Sequence, residues 1–195
     1  MKFEKEIESL KNFNQTLEQL QSFNFWKRFP ANSGINITFE NKAEGGTIGS
    51  KIIGPDDEAI SAYILKYRLF IQDKDDISLR NMDKLYSELQ LEKKYYDQYK
   101  NYRQRINDIL DRPSNVEINK HRVTIREIHN MFIYGYWAHM DQSDLNRKRF
   151  LGVKNNPVLY PIFTNDFNVT LIRIMNELVQ IKFLNENVIK LLEGK

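Results

Sequence analysis

The sequence predicts a mainly α-helical bundle of five or six helices, with one small β-hairpin inserted between the first two long helices. Three observations carry this. Apolar residues recur at three- and four-residue spacing along most of the chain, the period of one helix face. The period switches to two only between Gly34 and Gly54, where five of the eight glycines fall. A complete helix start is written at Thr124-x-x-Glu127, the spacing of a capping box. The 195 residues are read as one helical domain spanning 1–195, with the hairpin insertion at about 34–54.

Composition narrows the function classes. The 29 basic and 26 acidic side chains leave a net charge of +3, too balanced to argue for nucleic acid without local clustering. Cysteine is absent, which removes disulfides, thiolate metal sites and thiol nucleophiles together. A chain of this size buries roughly 70% of its unfolded surface, so no metal or cofactor is needed for stability, and none is expected. The opening Met-Lys-Phe-Glu-Lys-Glu-Ile-Glu carries acids where a signal peptide needs a basic and then an apolar run. No apolar run reaches the ~18 residues of a membrane span. A cytoplasmic protein without a membrane partner is expected.

In chain order, residues 2–26 read as an amphipathic helix with Phe3, Ile7, Leu10, Phe13, Leu17 and Leu20 on one face. Phe23, Phe25, Trp26 and Phe29 form an aromatic knot before Pro30. Ile35, Ile37 and Phe39 alternate with polar residues as a strand, Ala43–Gly46 is the turn, and 47–53 returns. Gly54-Pro55-Asp56-Asp57-Glu58 opens a helix that carries Tyr63, Tyr67 and Phe70 and runs through Gln72. The acidic loop at 73–76 lacks an EF-hand arrangement and reads as a connector, with Asp76 or Ser78 as the next cap.

Residues 78–112 form the longest helical pattern. Its apolar stripe shifts phase near Leu89–Leu91, which marks a bend or a change of partner. Val116 and Ile118 alternate as a strand, and Lys120–Val123 returns, as further strands beside the first hairpin. The stretch Arg122–Met140 is read as the central helix. Thr124 and Glu127 box its start, Val123 and Ile128 staple it, and Gly135 permits close approach of another helix. Ser143 caps a short helix through Phe150, with Gly152 as its stop, and Pro157 and Pro161 bracket a loop. Residues 167–192 form the last helix. Its two apolar faces, one with Leu171, Ile174 and Leu178 and the other with Ile172, Met175, Val179 and Phe183, imply that it lies deep in the bundle.

The residues available for chemistry are few. No H-E-x-x-H pair, G-x-S-x-G elbow, Rossmann or kinase glycine motif is present, and His129 and His139 project about 80° apart on an ideal helix, so no metal site is expected. Histidine can take a proton from a 2′-hydroxyl while arginine stabilises charge on phosphoryl oxygens. Arg122 and His129, with six residues between them, resemble the motif of the HEPN superfamily of helical nucleases and their inactive relatives. Here Val123 stands where that motif usually has a polar residue, and Arg122 lies before the helix cap. The resemblance implies metal-independent RNA cleavage by Arg122 and His129 across a dimer; in such a nuclease His139, further along the same stretch, is an alternative acid or base. The segments 67–72 and 132–139 also look like stretches of uncharacterised bacterial proteins, which implies no activity.

Three functions fit. The leading one is a bacterial or phage interaction module, associating with itself or a protein partner through aromatic helical surfaces, in a defence-type system. The second is the HEPN-like ribonuclease. The third is a non-catalytic RNA- or DNA-binding protein using Lys100, Arg103, Lys120, Arg147, Lys148 and Arg149, in which two basic clusters, Lys120–Arg122 before the central helix and Arg147–Arg149 after it, would converge on one patch.

Overall fold

In the computed structural model, residues 3–22, 37–39, 50–52, 67, 70–71, 78–89, 91–136 and 145–194 are described; residues 22, 37–39, 50–52, 134–136 and 145–147 are described as backbone only. Among them are six helices and two small antiparallel hairpins, and the chain is mainly α. The aromatic knot at 23–29, the helix start at 54–58, the loop at 73–76, His139 and Ser143 lie outside the described residues.

Helix α1 (Glu4–Ser22) buries Ile7, Leu10, Phe13, Leu17 and Leu20, as the spacing requires. Phe13 meets Phe70 edge-on, ring centroids 4.9 Å apart. Strands β1 (Ile37–Phe39) and β2 (Ser50–Ile52) pair antiparallel, Ile37 opposite Ile52, in the interval where period two was expected.

The long pattern from 78 is two helices, α2 (Leu79–Glu88) and α3 (Lys93–Leu110). Ser78 caps the first, its Oγ accepting from the Asn81 N–H at 3.1 Å. The break falls where the apolar stripe changes phase, because one straight helix could not aim both stripes at the core. It folds α3 back on α2, stacking Tyr86 on Tyr99 with centroids 4.2 Å apart.

Strands β3 (Pro113–Ile118) and β4 (His121–Thr124) make a two-stranded sheet of their own, not an extension of the first hairpin. Asn119 and Lys120 form its turn at φ 52° and 63°, the doubly left-handed geometry that matches strand twist. Only Ser114, Val116 and Val123 of this hairpin turn fully inward. The buried Asp166 clamps it, accepting from the Asn115 backbone N–H at 2.6 Å and the Asn115 side-chain amide at 2.9 Å.

Helix α4 (Ile125–Tyr136) starts with the expected reciprocal cap. The Thr124 N–H donates to Glu127 Oε2 at 2.8 Å, and the Glu127 N–H donates to Thr124 Oγ1 at 3.2 Å. Phe132 stacks on Phe167 at 3.9 Å and lies near Phe150 and Phe163, an aromatic centre for this end of the bundle. Helix α5 (Leu145–Lys154) runs through Gly152 rather than stopping there, since the exposed glycine keeps ordinary helical backbone.

Helix α6 (Leu159–Glu193) is longer than its apolar pattern suggested and starts before Pro161. A proline in the first turn lacks an N–H that would have no intrahelical acceptor, so it does not interrupt the helix. Asn156 Oδ1 accepts from the N–H groups of Val158 and Leu159 at this end. Helices α1, α3, α4 and α5 and strand β3 all pack on α6. Its first apolar face is buried, but on the second Ile172 and Phe183 are exposed and Met175 and Val179 only partly covered. The expectation that both faces are buried is therefore corrected: the described helices cover one side.

A buried polar relay ties α2, α6 and α1. The Tyr86 hydroxyl donates to Asn185 Oδ1 at 2.7 Å, and the Asn185 amide donates to Asn14 Oδ1 at 3.0 Å. Tyr86→Phe leaves the Asn185 oxygen buried without its donor, so denaturant unfolding should show a loss of ~1–3 kcal/mol. A loss below ~0.5 kcal/mol would mean that the relay contributes little.

Candidate functional site

Of the residues proposed from sequence, His129 has the best-defined environment. The periodicity that places Ile128 and Phe132 in the core brings it inward too, and it is 1% exposed. Its Nε2 lies 2.8 Å from Thr170 Oγ1 and its Nδ1 lies 2.8 Å from the Tyr67 hydroxyl. The Thr170 hydroxyl donates its proton to the Asp166 carbonyl at 2.6 Å, so towards the histidine it acts as acceptor. Nε2 therefore carries the ring proton, and Nδ1 accepts from Tyr67.

This neutral imidazole is stabilised by its surroundings. Burial, and secondarily the nearby Arg126 charge, lowers its pKa from 6.5 to about 3. Both ring nitrogens are engaged inside the core, an arrangement suited to holding α4 against α6 rather than to receiving a proton from RNA. Arg122, its proposed companion, is exposed on β4, opposite Glu117.

The basic residues behave individually. Arg103 donates through Nε to both oxygens of Asp83 at 3.2 Å and through Nη1 to Asn107, so its charge is neutralised within the α2–α3 pair. Lys100 is exposed, its ammonium 5.3 Å from the Tyr96 ring centroid. Lys120 and Lys148 are exposed. Arg149 reaches the start of α4, where its Nη1 contacts the capping Glu127 at 3.4 Å. One member of the second basic cluster thus approaches the β4–α4 junction, but it meets a carboxylate there. The Arg147 side chain lies outside the described residues.

Two features were not singled out from sequence. The first is an open stripe on α6. Val169, Ile172 and Phe183 are 38%, 41% and 52% exposed, three of the five large apolar side chains exposed among the described residues. With exposed Asn176 and part-buried Val179 they alternate at three- and four-residue spacing, the heptad seam that a second helix packs into. The second is a cleft of about 300 Å³ between the C-terminal half of α3 and the middle of α6, carrying Arg105, Arg112, Arg173 and Glu177. Pairing of its residues depends on packing between elements far apart in sequence; only the i, i+4 spacing of Arg173 and Glu177 could have hinted at it.

No family model, curated protein or solved structure matches the chain. No helix among the described residues is long and apolar enough to cross a membrane.

The His129 environment has a pH consequence. The unfolded chain accepts a proton near pH 6.5 that the folded state refuses until about pH 3, so this contribution to stability is full above the first value and is lost as pH falls between them. The slope approaches ~1.4 kcal/mol per pH unit. Unfolding measured from neutrality down to about pH 5 should show a smaller pH-dependent loss in His129→Gln than in the parent. Identical slopes in the two proteins would show that the imidazole does not carry the effect.

Proposed function

We propose that this chain is a helical interaction module that pairs with a second copy of itself along the outer stripe of α6. The observation that carries the reading is the exposure of Phe183, Ile172 and Val169 in heptad register on the helix that α1, α3, α4, α5 and β3 pack against. Such a seam accepts one further helix, and an identical copy supplies the same spacing by symmetry.

Asn176 argues for a copy over an unrelated apolar helix. It occupies the same heptad position as Val169 and Phe183, where it would oppose an apolar partner without a hydrogen bond. In a parallel pair each seam residue meets its own counterpart, and two facing amides satisfy each other because each has donor and acceptor atoms. A lone Asn in an apolar seam fixes register and oligomer number at some cost in affinity.

Sedimentation equilibrium at about 50 μM should find dimers of the parent chain and monomers of Phe183→Asp, with unchanged helical circular dichroism, since a desolvated unpaired carboxylate opposes assembly. A parent chain that stays monomeric at this concentration would overturn the reading. Asn176→Ile should tighten association while broadening the distribution of oligomers seen in the same experiment. A weaker dimer in that variant would remove the role given to the amide.

A further inference from the structure

The cleft between α3 and α6 carries charges that the fold only partly pairs. Three guanidiniums, from Arg105, Arg112 and Arg173, border it together with two carboxylates. Asp108 is partly occupied, accepting from the Gln104 amide at 2.7 Å. Arg105 approaches Glu177, but Nη1 to Oε2 is 3.7 Å, beyond hydrogen-bond reach. Glu177 Oε2 is consequently buried without a hydrogen-bond donor. Arg112 and Arg173 have no carboxylate partner among the described residues and are exposed.

Each half of this arrangement calls for a complementary group. Two unpaired guanidiniums favour an anion with several oxygens, which planar N–H donors grip bidentately. A buried carboxylate oxygen without a donor carries a desolvation cost that a ligand hydroxyl or amine would relieve. An inorganic anion answers only the first need and is repelled by Glu177. A molecule carrying a phosphoryl group a few atoms from a hydroxyl answers both. The volume is at the lower end of small-molecule sites, enough for a sugar phosphate or the phosphoribosyl part of a nucleotide.

We propose that this cleft binds a small phosphate monoester bearing a hydroxyl group, with Arg112 and Arg173 holding the phosphoryl oxygens and Glu177 Oε2 accepting from the hydroxyl. Asn176 lies at its edge and also on the outer stripe of α6, but the site is complete within one chain.

Isothermal titration of the full chain with ribose 5-phosphate, adenosine 5′-monophosphate, inorganic phosphate and ribose, each up to about 10 mM, tests the assignment. At least one of the two phosphate esters should bind saturably, about tenfold or more tighter than inorganic phosphate, and ribose should not bind. Preference for the nucleotide identifies nucleotides as the source of the ester, and equal or better binding of ribose 5-phosphate identifies sugar phosphates. Arg112→Ala and Arg173→Ala should each weaken the ester about tenfold, and Glu177→Leu should remove its advantage over inorganic phosphate while leaving phosphate binding in place. Melting curves of the variants show whether they remain folded, and charge-conserving Arg112→Lys and Arg173→Lys serve for any that do not, with the same loss expected because lysine lacks the bidentate fork. Absence of saturable ester binding, equal affinity for ester and inorganic phosphate, or affinity indifferent to the arginines would overturn the proposal.

Discussion

The structure depends on burying one face of a single helix. At 35 residues α6 is about 52 Å long, and four other helices and a hairpin cover its inner side. Burial of Phe163, Phe167, Leu171, Ile174, Leu178 and Ile181 on this side sets where every partner stands. Polar groups that enter with the apolar surface are paired where they land: Asn185 with Tyr86 and Asn14, Asp166 with Asn115, Thr170 with His129. These pairs add direction to a non-directional driving force, because each is satisfied in only one register of its two elements.

What remains uncovered on α6 follows from the same constraint. One side of a long helix faces the core, and among the described residues its remaining apolar side chains Val169, Ile172 and Phe183 are left exposed. Isolated exposed apolar side chains are ordinary, but three in helical register beside part-buried Val179 and Met175 form a continuous strip. The cleft on the neighbouring side arises where α3 ends and its chain turns into β3, leaving Arg105 and Arg112 facing the arginine and glutamate of α6.

Local signals in the sequence translated well into structure. The box at Thr124 and Glu127 forms with both reciprocal bonds, Ser78 caps α2, and the change of phase near Leu89 becomes a chain reversal. Pro161 misled because its cost depends on position: inside a helix it breaks a hydrogen bond, whereas in the first turn none exists to break. The second apolar face of α6 misled for another reason. Periodicity reports which residues share a face, but not whether enough other chain is available to cover it. The candidate site residues were hardest to read because their environments depend on distant partners. His129 is a plausible base by residue type and becomes a neutral core histidine only through Tyr67, 62 positions away, and Thr170, 41 positions away.

The chain contains no cysteine, so single thiols can report directly on which side of α6 is open. Labelling rates of Leu178→Cys and Ile172→Cys should differ sharply in dilute protein: the first is shielded by the core, and the second reacts like a free thiol. On raising the concentration the outer thiol should become protected while the inner one is unchanged. An outer thiol that is already shielded at the lowest concentration, or one whose reactivity ignores concentration, would contradict the picture of a long helix with one side closed by the fold and the other by a second copy.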